Sequence, residues 1–503
     1  MSVRTVHQDI KLELENITPE SAILSVSHPG LTSFEPIPLW FGAPGVLNVP
    51  RYILPDDLPV VMDNGANHSF ATAQSIANLQ AVDGICDGPV LDYYRITVAA
   101  GQRLAFEVLT QSIHSKMDPV IRILKADGSF VAQKDDSSVG SDPHFSHVFQ
   151  EAGDYLVEVS DSHYGPGTEY HLRVGDFPVF DHLFPMAVQR GQPTSVEFAG
   201  PELASELRSD VLVPDSWTGT SFTTSIRANA GTSSAWGELL VTSFPQYLES
   251  PTEKKVLELP MGLSGKLTAA NEVDTHWIRC IKGQPIRFSS QTRSLGSGAL
   301  LQMQLFNATG GKLSETAVSA MDEWGFDFTP PEDGEYRLVV NDLLQRGAPG
   351  YGYYIQAERA GSFTVQLKPD PNTRQRFALE ETHGGGAIDL QVNRFGYEGE
   401  IQLSLIPKDL PIRLLNPRVP AGAKEHRCLM VCQPGWTAQA MNLVRLSAEA
   451  VSDPAIRVEL ANESLSRVIE PHVLVPSRSS SGVLALAGNA VSPPLFGFEV
   501  PVG

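Results

Sequence analysis

The 503-residue chain carries 58 acidic against 37 basic residues, for a formal net charge of −21. Phosphate backbones and anionic membranes are gripped by clustered Lys and Arg, so this balance excludes nucleic acid as an expected partner. The length exceeds one core and predicts three to five modules, and 42 Gly, 37 Pro and only 19% charged residues point to many short strands and turns, an all-β architecture of tandem β-sandwich modules.

Along the chain, the opening Met1-Ser-Val-Arg-Thr-Val-His-Gln-Asp-Ile lacks the apolar core of a signal peptide, and no stretch approaches the ~18 apolar residues of a membrane span. Residues 1–60 read as the end of a module plus a linker, so a signal segment is expected upstream in a longer product. Next, Asp92-Tyr-Tyr-Arg-Ile-Thr-Val-Ala-Ala-Gly-Gln-Arg-Leu-Ala-Phe-Glu-Val108 alternates apolar and polar positions on both sides of Gly101, the pattern of a hairpin. Asp274-Thr-His-Trp-Ile-Arg-Cys-Ile-Lys-Gly-Gln-Pro-Ile-Arg-Phe288 repeats it, with Asp92 falling on Asp274, Gly101 on Gly283 and Gln102 on Gln284. The strand and Gly turn of Asp118–Gly128 then correspond to Leu300–Gly310, and Ala152–Asp161 corresponds to Asp333–Asp342. Both copies re-enter a strand, at Tyr170-His-Leu172 and Tyr353-Tyr-Ile355, so each repeat predicts its own sandwich of about 100 residues.

These residues resemble the bacterial pre-peptidase C-terminal (PPC) domain, whose pattern runs Asp-x-Tyr-x-Phe, Gly-Gln, Leu-Asp-Pro, an Asp-Gly turn and Gly-x-Tyr-x-Leu-x-Val. The likeness covers 61–175 and 248–360; in the second copy His276 stands for the Tyr and Leu300 for the Asp of Asp-Pro. Asn67-His-Ser-Phe-Ala-Thr-Ala-Gln74 resembles the family's lead-in, with Gly65 and Ala66 where Glu and Pro are usual. The resemblance implies jelly-roll-like sandwiches carried as accessory modules on secreted proteins and peptidases. Between the copies, 176–247 resembles an immunoglobulin-like TIG fold through Leu183-Phe-Pro, Gln189-Arg-Gly-Gln, Ser195-Val-Glu-Phe-Ala-Gly200 and Leu239-Leu-Val-Thr. Its Gly231-Thr-Ser-Ser is echoed by Gly30-Leu-Thr-Ser33, which makes 1–60 the end of an earlier unit of that kind. Residues 361–465 are spaced as an immunoglobulin-like sandwich, and 466–503 read as a C-terminal β segment or truncated module.

No His-Glu-x-x-His helix, Gly-x-Ser-x-Gly elbow or phosphate-cradling loop occurs, and the 13 His are scattered, so the chain is expected not to be an enzyme. Gly384-Gly-Gly386, after His383, reads as a turn. Asp118, Asp135, Asp136, Asp142 and Asp161 lie mostly at strand ends or in loops of the first copy, where carboxylates can converge on calcium, a hard cation needing six to eight oxygens. The alternative is that they cap turns through their own side chains. Collagen-binding relatives of the PPC domain hold calcium near the lead-in, where Gly65 replaces the usual Glu. Trp236, Trp277, Trp324 and the loop tyrosines Tyr351, Tyr353 and Tyr354 are candidates for a face binding glycan or an extracellular protein, against a core role. Cys428 and Cys432 share one strand face ~13 Å apart, too far for a disulfide. With His426 on that face a metal site is conceivable, but buried structural thiols are the expectation. The reading is a non-catalytic extracytoplasmic binding or spacer protein, the alternative being the accessory portion of a larger secreted peptidase or hydrolase.

Overall fold

The computed structural model describes residues 2–4, 11–15, 23–27, 37–42, 51–54, 56–113, 115–137, 140–200, 202–203, 206–215, 221–227, 233–250, 254–316, 323, 325–359, 361–368, 377–379, 385–406, 412–432, 442–453, 456–459 and 483–487. Among these the fold is all-β, with two 3₁₀ turns, Gln111–Ile113 and Arg293–Leu295, and no α-helix. Among the described residues no helix is long and apolar enough to cross a membrane. Near the N-terminus run β1 (Ser2–Arg4), β2 (Lys11–Glu15), β3 (Ile23–Ser27), β4 (Ile37–Gly42) and β5 (Arg51–Ile53). Of these, β4 lies between β1 and β5, and β2 pairs with β3.

The first sandwich comprises β6 (Val60–Met62), β7 (Gln74–Ser75), β8 (Gln80–Asp87), β9 (Asp92–Val98), β10 (Arg103–Leu109), β11 (Pro119–Lys125), β12 (Phe130–Lys134), β13 (His144–Val148), β14 (Gly153–Asp161) and β15 (Pro166–Gly175). Its sheets run β13-β10-β15-β8-β6 and β12-β11-β14-β9-β7. The alternation read from sequence sends Val82, Phe106 and Leu172 of one sheet and Tyr94, Ile121 and Val157 of the other into one core. Burying each large apolar side chain contributes about 1.5–3 kcal/mol.

The middle unit has β16 (His182–Phe184), β17 (Ala187–Gln189), β18 (Thr194–Ala199), β19 (Leu207–Val211), β20 (Ser221–Thr224) and β21 (Gly237–Thr242). Its sheets, β16-β18-β19 and β17-β21-β20, enclose Leu183, Val196, Phe198 and Leu239. The second large sandwich follows with β22 (Gln246–Leu248), β23 (Val256–Leu257), β24 (Met261–Lys266), β25 (Val273–Cys280), β26 (Ile286–Gln291), β27 (Leu301–Phe306), β28 (Lys312–Glu315), β29 (Gly325–Phe328), β30 (Gly334–Asp342) and β31 (Gly352–Arg359).

Its sheet orders, β22-β24-β31-β26-β29 and β23-β25-β30-β27-β28, reproduce those of the first sandwich strand for strand. Details repeat as well. Gly101 and Gly283 both turn at positive φ (78° and 73°), which a side chain would resist. Their N–H groups donate to the carbonyls of Phe149 and Pro330. The β11–β12 and β27–β28 ladders both slip before their Gly turns, at Ile123/Leu124 and Leu305/Phe306.

Beyond it, Ser362–Leu367, Gly385–Phe395, Glu425–Cys432 and Ile412–Leu415 form a sheet that shares a core with the paired strands Ile401–Ile406 and Asn442–Ala450. Gly385 and Gly386 open a strand there. Cys86, Cys280 and Cys428 are buried free thiols, whose burial pushes them up to about 11, 12 and 12 respectively. His426 Nε2 meets the Asn416 carbonyl at 2.8 Å. The side chain of Cys432 lies outside the described residues.

Candidate functional site

Asp118 and Asp161 lie 3.4 and 4.0 Å from His163 Nδ1, and among the described residues no three His, Cys, Asp or Glu side chains gather as a metal-binding group. Three of the five aspartates, Asp118, Asp142 and Asp161, have local hydrogen-bonding roles. Asp142 accepts from the N–H groups of Thr110, Gln111 and Ser112 at 2.7–2.9 Å and caps the 3₁₀ turn. Glu323 does the same for Thr292 and Ser294 in the second sandwich. Asp161, fully buried, accepts from the N–H groups of Asp118, His163 and Gly165. Its counterpart Asp342 accepts from those of Leu300, Leu344 and Arg346. Asp118 accepts from the Ser162 hydroxyl. Asp135 and Asp136 are exposed. Carboxylates whose lone pairs are filled by backbone donors have little left for a cation.

The three loop tyrosines are buried or half-buried. Tyr353 and Tyr354 are consecutive on β31, so their rings leave opposite faces, and both are buried. Tyr353 enters its own core, while Tyr354 packs with Met186 and Ala187 of the middle unit. Half-buried Tyr351 lies under the Arg346 guanidinium, 5.2 Å from the ring centre. Trp277 is capped by Lys254 Nζ at 4.0 Å, and Trp236 is half-buried. Trp324 lies outside the described residues.

What the fold does assemble is a buried polar group at the same place in both sandwiches. In the first, the Tyr170 hydroxyl donates to Asp92 Oδ2 at 2.8 Å and also meets the Tyr94 hydroxyl. In the second, Tyr353 Oη lies 2.8 Å from Asp274 Oδ2 and 2.9 Å from His276 Nε2, the residue that replaces Tyr94. A glycine beneath each ring makes the room: a Cβ on Gly84 would stand 2.3 Å from the Tyr170 ring, and one on Gly265 would stand 2.2 Å from that of Tyr353. Each strand that opens its sandwich then delivers an acid, Asp63 after β6 and Glu249 after β22, whose N–H groups bond to the carbonyls of Asp83 and Ser264.

Burial sets the electrostatics. It pushes Asp92 up to about 6, with the Tyr170 hydrogen bond opposing and the charge of Asp63 adding. It raises Asp63 and Asp274, and it drives His276 down to about 4. Glu249 rises to about 7, through burial first and then the neighbouring charge of Asp274. In the first sandwich Asn67 is fully buried with neither end of its amide hydrogen-bonded, and Asp92 Oδ1 has no hydrogen-bond donor, with His68 Nδ1 lying 3.2 Å away. Sequence reading paired Asp92 with Asp274 and met Asn67 only as part of the lead-in, and it missed Asp63 and Glu249, for which only their position after the lead-in strand is a signal.

A second set of polar groups joins the modules. Arg173, on the outer face of β15, donates to Asp56 at 2.6 Å, to Glu107 at 2.9 Å and to the Ser233 carbonyl of the middle unit at 2.7 Å. His171 sits between Asp56 at 3.0 Å and Asp83 at 2.6 Å. Burial opposes its charge, but those bonds outweigh it and raise His171 to about 9. Asp56 falls to about 2, burial being outweighed by His171 and Arg173. His144 meets Asp181 at 2.9 Å. Across the other junction, Lys266 Nζ reaches Glu197 at 2.7 Å, and Ser264 Oγ accepts the Met186 N–H at 3.1 Å. A Cβ on Gly296 would stand 2.1 Å from the Asp181 carbonyl oxygen, and one on Gly352 would stand 2.4 Å from His182 Nε2, so the close approach depends on glycine at both positions.

No family model and no curated protein matches the chain. Solved structures with local likeness include the pre-peptidase C-terminal domain of collagenase from Bacillus anthracis, at 17% identity over 20% of this chain and 92% of that one, with a TM-score of 0.18. Another is the M60 catalytic domain with two CBM51 domains of Clostridium perfringens ZmpB, at 11% identity over 54% of this chain and 34% of that one, with a TM-score of 0.15. A third is the tandem CBM51 modules of Sp3GH98 from Streptococcus pneumoniae, at 12% identity over 55% of this chain and 81% of that one, with a TM-score of 0.14. Likeness at these scores carries no functional argument.

Proposed function

We propose that the chain is a non-catalytic, extracytoplasmic spacer and binding protein in which two PPC-like sandwiches, near 61–175 and 248–360, are held at a fixed distance by a TIG-like module near 176–247. The carrying observation is the use of the perturbed ionisable groups: Arg173, His171 and Asp56 seal one junction, and Asp92 and Asp274 anchor buried tyrosines. A hydrolase needs a base and a nucleophile facing a substrate, and groups bonded in this way are not free for either task. The accessory portion of a larger secreted peptidase or hydrolase is the second form of the same reading, and a glycan or an extracellular protein is the proposed partner class.

Calcium, implied by the resemblance, fits the lead-in of the first sandwich better than it fits the five aspartates. Asp63, Asn67 and Asp92 would hold it there, since they bring two carboxylates and an unpaired amide together, and the ion would supply positive charge to a buried acidic pair. Incubating the chain with fluorogenic peptide, ester, glycoside and phosphate substrates tests the central reading. No turnover is expected; turnover abolished by substituting one of the residues named here would overturn it.

A further inference from the structure

We propose that Glu249 and Asp274 share a single proton and form a pH-sensitive latch that seats residues 246–250 and 254–257 on the second sandwich. The geometry begins with a shortage of donors. Tyr353 Oη lies 2.8 Å from Asp274 Oδ2 and 3.3 Å from Glu249 Oε2, and its one proton can serve only one carboxylate at a time. His276 Nε2 meets the same hydroxyl at 2.9 Å and spends its bond there. Glu249 Oε1 accepts the Lys266 N–H at 2.9 Å, so Oε2 carries the unmet charge.

Cations of the packed elements face elsewhere. Lys266 Nζ on β24 is held by Glu197, Lys254 by Glu335 and the Trp277 ring, and Arg279 on β25 by Glu258. Lys255 lies over the Tyr247 ring at 4.9 Å. Glu272 adds negative charge beside Asp274. Two ionised carboxylates in this setting repel, whereas a protonated Glu249 donates to Asp274 and both acids are satisfied.

The consequence is mechanical. Glu249 directly follows β22, and β22 pairs in parallel with β24, while Val256 and Leu257 of β23 pair with Trp277 and Ile278. This segment is also the connection from the middle unit, with Gln246 Nε2 donating to Thr242 Oγ1 at 2.7 Å. Losing the shared proton loosens the seat of that connection. The first sandwich has an acidic pair of its own, Asp63 and Asp92, but there His68 Nδ1 stands 3.2 Å from Asp92.

A raised acid stabilises the seated form fully below its ordinary range and loses that effect as pH rises to the folded value, here from about 4.5 to about 7. Hydrogen exchange on peptides covering 246–257 of the full chain, in chelator and corrected for chemical exchange rates, reads the opening directly. Between pH 5.0 and 7.5 the opening constant should rise on the order of tens of fold. Glu249→Gln, which keeps the donor but cannot ionise, should flatten the rise, and Asp274→Asn should reduce it if Glu249→Gln does not fold. A flat wild-type profile would overturn the latch, as would a rise that persists in both variants. Loosening that millimolar calcium reverses would likewise overturn the shared proton in favour of a bound cation.

Discussion

Replacing Arg173 by leucine takes the guanidinium out of the seam between the first sandwich and the middle unit. Arg173 makes two bonds to Asp56, one to Glu107 and one to the Ser233 carbonyl. Asp56 keeps its bond to His171, but Glu107 is left buried with its main charge partner gone, and the Ser233 carbonyl loses its donor. Breaking a buried ion cluster from one side costs about 3–5 kcal/mol, most of it the stranded charge. Urea unfolding of the full chain, with peptides of 54–60 and 166–175 followed by hydrogen exchange, should show that loss in the transition of the first sandwich. A companion Glu107→Leu in the same chain should recover a large part of it, because the stranded charge is then absent. A loss below about 1 kcal/mol for Arg173→Leu, or no recovery in the double variant, would refute the assignment of Arg173 as a junction clamp.

Gly352→Ala and Gly296→Ala should each cost about 1–3 kcal/mol by forcing the middle unit away from the second sandwich, seen as an increased radius of gyration in X-ray scattering. Gly84→Ala should destabilise the first sandwich by a comparable amount in thermal melts, through its contact with the Tyr170 ring. Burial holds His182 neutral and lowers it to about 4, so its contribution is present above pH 6.5 and is lost as pH falls toward 4, worth about 2–3 kcal/mol in all. His182→Phe should reduce the acid slope of stability over that window. Calcium should raise the melting temperature of the first sandwich, and Asp92→Asn should abolish the increase.

The repeat was legible because its signals are local: Gly101 and Gly283 need positive φ, and the strands beside them alternate with period two. Asp161 and Asp342 were legible as strand-end acids, but a sequence does not tell how many backbone N–H groups a loop will aim at a carboxylate, and that number decides between clamp and cation site. The buried acids were hidden by distance along the chain, since Asp63 comes near Asp92 only through the parallel pairing of β6 with β8. The cover of Tyr354 was hidden because it comes from Met186 and Ala187 of another module, which no strand pattern announces. Arg173 drew no notice in the sequence for the same reason, its partners Asp56 and Ser233 lying 117 and 60 positions away.

The rigid spacing of the two large sandwiches is tested most directly by a distance distribution. Nitroxides at Ala126→Cys and Ala308→Cys, equivalent exposed turn positions of the two copies, permit pulsed electron resonance on the full chain. A single narrow distance that broadens on Gly352→Ala is the predicted result. A broad distribution in the unsubstituted background would contradict a fixed spacer and leave the modules as independent beads.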